Sequence, residues 1–200
     1  MRTTATREEV RTAILDAAEA LIARYGYRKM AVDDIAQEAR IGKGTVYLHF
    51  ASKEEVALGT VDRIADRVLD RLETAGASEA PAPVRLREML VARVMVRLDS
   101  VRDYSASIDE LLKDLRPAVI ARREGYFAAE AGLIGRVIMQ GVRCGTLAPC
   151  EPLTTAGLLI LATNSLLPAN LSARDLGERE EVLARAEAVA DLVLRGLLPR

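Results

Sequence analysis

The stretch Ile35-Ala36-Gln37-Glu38-Ala39-Arg40-Ile41-Gly42-Lys43-Gly44-Thr45-Val46-Tyr47-Leu48-His49-Phe50 decides the fold. It reads as two short helices joined by a tight turn. Ile35, Ala36 and Ala39 fall on one side of the first helix. Val46 and Phe50, four residues apart, fall on one side of the second. Ile41 is the apolar plug that follows the turn. The side chains left pointing outward are Lys43, Thr45, Tyr47 and His49, and every one is a hydrogen-bond donor. No acidic residue occurs from Ala39 to Lys53, where Arg40, Lys43 and Lys53 contribute positive charge. A short helix that presents donors and positive charge suits phosphates and base edges.

The flanking sequence frames this pair. Thr6-Arg7-Glu8-Glu9 has the capping-box pattern, a hydroxyl followed three residues later by a carboxylate. The helix it opens carries Val10, Ile14, Ala17, Ala18, Leu21, Ile22 and Tyr25 at helical spacing, and Gly26 stops it. Gly26 to Met30 is a turn with Arg28 and Lys29. Asp33 and Asp34 suit the first turn of the next helix, where the dipole favours negative charge. Ser52-Lys53-Glu54-Glu55 repeats the capping pattern and opens a helix to about Thr74, roughly 30 Å long at 1.5 Å per residue.

Beyond residue 74 the chain continues in the same manner. Helices are expected from Val84 to about Val101, over a short span from Ser107 to about Leu115, and from Pro117 to about Arg143. Gly145 closes the last of these. An apolar helix from Leu153 to about Leu167 and a final one from Val182 to Leu198 complete the chain. Half of the 200 residues are hydrophobic but only 4% are aromatic, and no long alternation of apolar and polar residues occurs. The fold class is therefore all-α. The net charge of −1 argues against a polyanion binder acting through its whole surface and leaves a focused basic patch as the alternative.

Several chemistries are excluded on residue supply. No apolar run approaches the roughly 18 residues of a membrane span, and no secretory signal opens the chain. The expected location is the cytoplasm, with Cys144 and Cys150 reduced. One histidine and two cysteines do not make a zinc tetrahedron, so no metal and no cofactor is expected. His49 lacks a nucleophile or carboxylate partner at catalytic spacing, so the chain is not read as an enzyme.

A family becomes recognisable in the order of these motifs. Ile14-Leu15-Asp16-Ala17-Ala18, Tyr25-Gly26-Tyr27, Val32-Asp33-Asp34-Ile35-Ala36, Lys43 to Phe50 and Ser52-Lys53-Glu54-Glu55 resemble the tetracycline-repressor (TetR) family of bacterial regulators. The resemblance covers about the first 55 residues. It implies an N-terminal three-helix helix-turn-helix domain, residues 1–52, and a C-terminal helical effector-binding and dimerisation domain, residues 53–200. It implies a homodimer on a palindromic double-stranded operator, released by a small-molecule effector. By the family pattern Lys43, Gly44 and Thr45 fall at recognition-helix contacts, and Tyr47, His49 and Lys53 at backbone phosphates. Arg40 stands where the family has its turn glycine, so either the turn is reshaped or a phosphate contact offsets the conformational cost of Arg40. Ala31 stands where a Ser or Thr caps the second helix, so that cap is expected to be missing.

Effector-site candidates in the C-terminal part are Met89, Arg93, Tyr104, Tyr126, Phe127 and Asn164. Core packing is the competing reading for the apolar ones, and a solvated helix flank for Arg93 and Arg97. Met95 and Met139 belong to the same cavity reading. The rival function is a ligand-independent DNA-binding or architectural protein with a solid C-terminal core. A cavity of several hundred cubic ångströms after Val84 separates the two.

Overall fold

The computed structural model describes residues 6–102, 105–167 and 177–199, with side chains 101–102, 105–110 and 112 outside the description. Among these residues there are eight helices and no strand. They are α1 (Arg7–Tyr25), α2 (Val32–Glu38), α3 (Lys43–His49), α4 (Lys53–Gly76), α5 (Ala82–Arg102), α6 (Ser105–Arg143), α7 (Pro152–Asn164) and α8 (Arg179–Arg195). Two compact units form. One comprises Met1–Arg63 with Asp103–Ile120, the other Ile64–Arg102 with Ala121–Arg200. Helices α4 and α6 each continue from one unit into the other.

In the first unit the caps lie where the sequence places them. The Glu9 amide donates to Thr6 Oγ1 at 3.2 Å, and the Thr6 amide donates to Glu9 Oε2 at 2.6 Å. The Glu55 amide donates to Ser52 Oγ at 3.2 Å at the start of α4. Ile14, Leu15, Ala18 and Ile22 of α1, Ile35 and Ala36 of α2, Val46 of α3 and Val56 of α4 are buried against one another. Ala39 and Ile41 pack at the edge of this core. Burying each branched side chain contributes roughly 1.5–3 kcal/mol, which is what holds two seven-residue helices too short to be stable alone.

The expectation of two helices separated before Pro117 is corrected. Helix α6 is one run of 39 residues with Pro117 inside it. Proline fits helical φ and removes one backbone donor, which is usually enough to break a helix. Here Leu111, Leu115 and Val119 repeat every four residues across the proline and are buried in the first unit's core, so packing continues on both sides of the lost bond.

The second unit is a layered helical core. Val68 and Leu72 of α4, Leu86, Met89 and Leu90 of α5, Ile134 and Ile138 of α6, Ala156 and Ile160 of α7, and Ala190 of α8 are buried together. Gly145 ends α6 with φ 72°, and the Thr146 amide donates back to the Gly141 carbonyl at 2.9 Å. Glu151 caps α7 by accepting from the Thr154 amide at 3.0 Å, with Pro152 in the first turn. Both cysteines are free thiols. No helix among the described residues is long and apolar enough to cross a membrane.

Candidate functional site

The turn between α2 and α3 sets the pose of the exposed helix. The Ile41 amide donates to the Ala36 carbonyl at 3.0 Å and the Arg40 amide to the Gln37 carbonyl at 3.1 Å. This pair is a Schellman motif, which needs a left-handed residue between the helix cap and the apolar plug. That residue is Arg40, with φ 56°, the one non-glycine at positive φ among the described residues. The turn is thus not reshaped to suit a side chain; the side chain accepts the strain, roughly 1–2 kcal/mol. Ala31 has no side-chain cap, as expected. Asp34 supplies only the reciprocal bond of a capping box, its carboxylate accepting from the Ala31 amide at 3.1 Å.

On α3, Lys43, Gly44 and Tyr47 are exposed, and Thr45 and His49 are partly covered. A Cβ built on Gly44 meets no protein atom within 4 Å, so its surface is open to close approach. Leu48 is 77% exposed, the most open large apolar side chain on the molecule among the described residues. It breaks the donor-only face that the sequence suggested. Its position next to Tyr47, off the Val46–Phe50 stripe, turns it outward.

The basic patch also has acidic neighbours that local sequence does not show. Lys43 Nζ lies 2.8 Å from Asp33 Oδ2 of α2, and this bond and charge raise the Lys43 pKa above its ordinary value. Both partners are well exposed, so the pair is weak and a phosphate can replace the carboxylate. Lys53 Nζ lies 4.5 Å from the centre of the Tyr27 ring and donates to the Arg28 carbonyl at 3.1 Å. Arg28 itself, absent from the expected site, makes a two-pronged pair with Asp114 of α6 at 2.9 Å through Nε and 2.9 Å through Nη2. That pair holds the Asp114 carboxyl below its ordinary pKa. Burial, followed by the Glu54 carboxylate that accepts its hydroxyl at 3.4 Å, pushes Tyr27 up to about 12. Lys53 therefore sits on a neutral ring at all physiological pH.

The second unit brings three of the six effector candidates together. Arg93 is fully buried, which corrects the solvated-flank reading. Its Nε donates to Glu130 Oε2 at 2.8 Å, its Nη1 to Thr163 Oγ1 and to the Ile160 carbonyl, and its Nη2 to Asn164 Oδ1 at 3.1 Å. Phe127 lies beside it, with the Arg93 guanidinium 5.5 Å from the ring centre. Met89 is instead fully buried in the apolar core, close to Gly76 of α4. Tyr126 is partly covered on α6, and Tyr104 lies outside the described residues. Met95 is buried, whereas Met139 is 44% exposed and lines no interior. Glu130 was missed because a lone glutamate in a helix reads as surface; only its pairing with Arg93 identifies it.

A groove of about 500 Å³ also opens in this unit. Val84, Val91, Ala92, Met95 and Val96 give it an apolar floor, and Arg71, Arg87, Glu88, Asp99 and Arg179 line it. None of the five effector candidates among the described residues does so.

Residues 14–60 match the family model described as bacterial regulatory proteins, tetR family. Over these residues the chain is similar to the tetR family. The regulator is 26% identical over 151 residues to the HTH-type transcriptional regulator YhgD of Bacillus subtilis, spanning 74% of this chain and 76% of that protein. It is 22% identical over 190 residues to the fatty acid metabolism regulator protein of the same organism, spanning 92% and 93%. Among solved structures, a transcriptional regulator from Cytophaga hutchinsonii superposes with a TM-score of 0.77 at 19% identity, covering 94% of this chain and 98% of that one. FadR from Bacillus subtilis, solved with stearoyl-CoA, superposes with a TM-score of 0.66 at 19% identity, covering 92% and 98%. The fold of the regulator is thus that of these proteins along its length. It is a DNA-binding transcription regulator and not an enzyme.

Proposed function

We propose that the regulator is a repressor, held on a palindromic operator as a homodimer and released by a small-molecule effector. The observation that carries the DNA half is the exposed face of α3 on its Schellman turn. Arg40, Lys43, Gly44 and Thr45 form the leading edge, and Tyr47, His49 and Lys53 hold the flanking phosphates. Leu48 joins them as an apolar contact suited to a thymine methyl. In this division of labour residues 1–52 read DNA and residues 53–200 sense and dimerise, in the cytoplasm.

The homodimer reading is supported by α7 and α8. Leu158 and Leu161 of α7 are 61% and 65% exposed, and Leu192 of α8 is 69% exposed. Large leucines left open on two helices of one subunit suit a second copy related by a two-fold axis. The effector half is supported by the groove of about 500 Å³ beside α5. Release requires an effector that binds the DNA-incompetent state more tightly than the competent one. Helices α4 and α6, which continue from one unit into the other, are the elements able to carry that bias.

The test is retention of genomic fragments on the immobilised protein at 150 mM salt (on the order of physiological ionic strength), followed by sequencing. Enrichment of one palindromic sequence is expected, with loss of retention when an effector is added. Stearoyl-CoA is the first compound to try, since a structural relative binds it. Uniform retention of all fragments overturns the operator reading. Retention of one operator that no compound of a broad metabolite panel disturbs favours the ligand-independent protein.

A further inference from the structure

The arginines between residues 6 and 63 divide into two groups. Arg24 faces Glu38, Arg28 is gripped by Asp114, and Arg63 lies against Asp16 and Glu19. Arg7, Arg11 and Arg40 have no carboxylate within ion-pair distance among the described residues. Arg40 belongs to the face of α3 proposed to meet DNA. Arg7 and Arg11 lie outside that face in sequence, at the start of α1.

The packing of α1 brings them back to it. Arg7, Arg11, Leu15 and Ala18 share one side of the helix. Leu15 and Ala18 are buried, and Leu15 meets Phe50 at Gly59 of α4, where a Cβ would stand 2.8 Å from Leu15 Cδ2 and 3.1 Å from Phe50 Cε1. One turn earlier in α1, the Arg11 guanidinium lies over the Phe50 ring, 5.3 Å from its centre. Phe50 directly follows His49, the last residue of α3. The inward side of α1 therefore ends in guanidiniums beside the C-terminal end of α3, as Arg40 stands before its N-terminal end. The buried Phe50 ring fixes Arg11 in place without neutralising it.

Folding does not ask for these charges. Like charges four residues apart on a helix repel. Both arginines lie in the first two turns of α1, where the helix dipole is already positive and favours the opposite sign. A polyanion arriving from outside turns both costs into attraction. We propose that Arg11, with Arg7 one turn before it, holds DNA backbone phosphates beside the C-terminal end of α3. This rests on α3 being the face turned to DNA, and it widens the reader from one helix to two. Arg7 and Arg11 are then the contacts, and Phe50 positions Arg11.

The test is fluorescence anisotropy of the full-length protein with labelled, sheared genomic duplex over a series of salt concentrations. Phosphate contacts carry binding to such DNA, so no operator has to be known. Arg11→Gln is expected to make the slope of log K against log salt shallower by about 0.9 per reader, and Arg7→Gln with Arg11→Gln by about 1.8. Arg11→Lys keeps the charge and the wild-type slope, and the exposed Arg136→Gln of the second unit leaves the slope unchanged. Arg7→Gln unfolds no lower than wild type, because a cation has left the positive end of a helix. Merely solvated arginines predict no change of slope, and structural ones a lower Tm with the slope intact. An unchanged slope in Arg11→Gln, a double variant no shallower than the single one, or an equal loss in Arg11→Lys overturns the proposal. Lys53→Ala is measured beside them. A slope moved by Lys53→Ala alone sinks these two contacts and keeps the reader, whereas a slope moved by none of these variants sinks the reader as well.

Discussion

Arg40→Gly separates folding from DNA binding with one substitution. Arg40 occupies the left-handed position of a Schellman turn, φ 56°, where a side chain costs roughly 1–2 kcal/mol. Glycine removes that cost. It also adds freedom to the unfolded chain, which offsets roughly 0.4–1 kcal/mol. The net expectation is a gain on the order of 0.5–1 kcal/mol, or a Tm higher by about 1–4 °C for a chain of this size. The side chain is exposed beside the basic face of α3, so its loss removes one phosphate contact per reader. The slope of log K against log salt then becomes shallower by about 0.9 per reader. Arg40→Ala is the control: it keeps the strain, so Tm stays near wild type while the salt slope falls equally. Differential scanning calorimetry and fluorescence anisotropy on a retained operator fragment read the two quantities. A lower Tm for Arg40→Gly refutes the strain argument, and an unchanged salt slope refutes the phosphate contact.

Gly44→Ala meets no protein atom within 4 Å and removes a flexible residue from α3, so stability rises by roughly 0.5–1 kcal/mol while operator affinity falls; calorimetry and anisotropy that move together contradict close approach at Gly44. Asp33→Asn frees Lys43 from its carboxylate, and operator affinity is expected to rise a few-fold at low salt with the gain fading as salt increases. Leu161→Glu places a charge among the open leucines of α7, and analytical ultracentrifugation is expected to show monomers; a persistent dimer moves the interface elsewhere. Glu130→Gln strands Arg93 and Arg97 without a counter-charge, so urea unfolding is expected to lose about 3–5 kcal/mol, and a loss below 1 kcal/mol means the network is not closed.

The helix-turn-helix proposed to read DNA is largely legible in the sequence because it is built from local rules. Thr6 and Ser52 announce helix starts through bonds to amides three residues on. The stripes of α1 to α4 repeat at helical spacing. The turn position of Arg40 follows from the length of α2 and the plug at Ile41. Leu48 was not among the outward residues read from the sequence, and its angle on a seven-residue helix turns it outward.

What escaped in the rest of the chain depends on partners far along it. Pro117 reads as a helix start, yet α6 runs through it because Leu111, Leu115 and Val119 find one core on both sides. Asp33 reaches Lys43, and Asp114 reaches Arg28, only when α2 packs on α3 and α6 packs on the first unit. Arg93 and Glu130, 37 residues apart, each look like solvated surface when read alone. Caps, turns and stripes are set by neighbours three or four residues away, so any copy of this sequence carries them. The charge of a buried site is a sum over helices that meet only in the packed fold, and no single helix holds the terms of that sum.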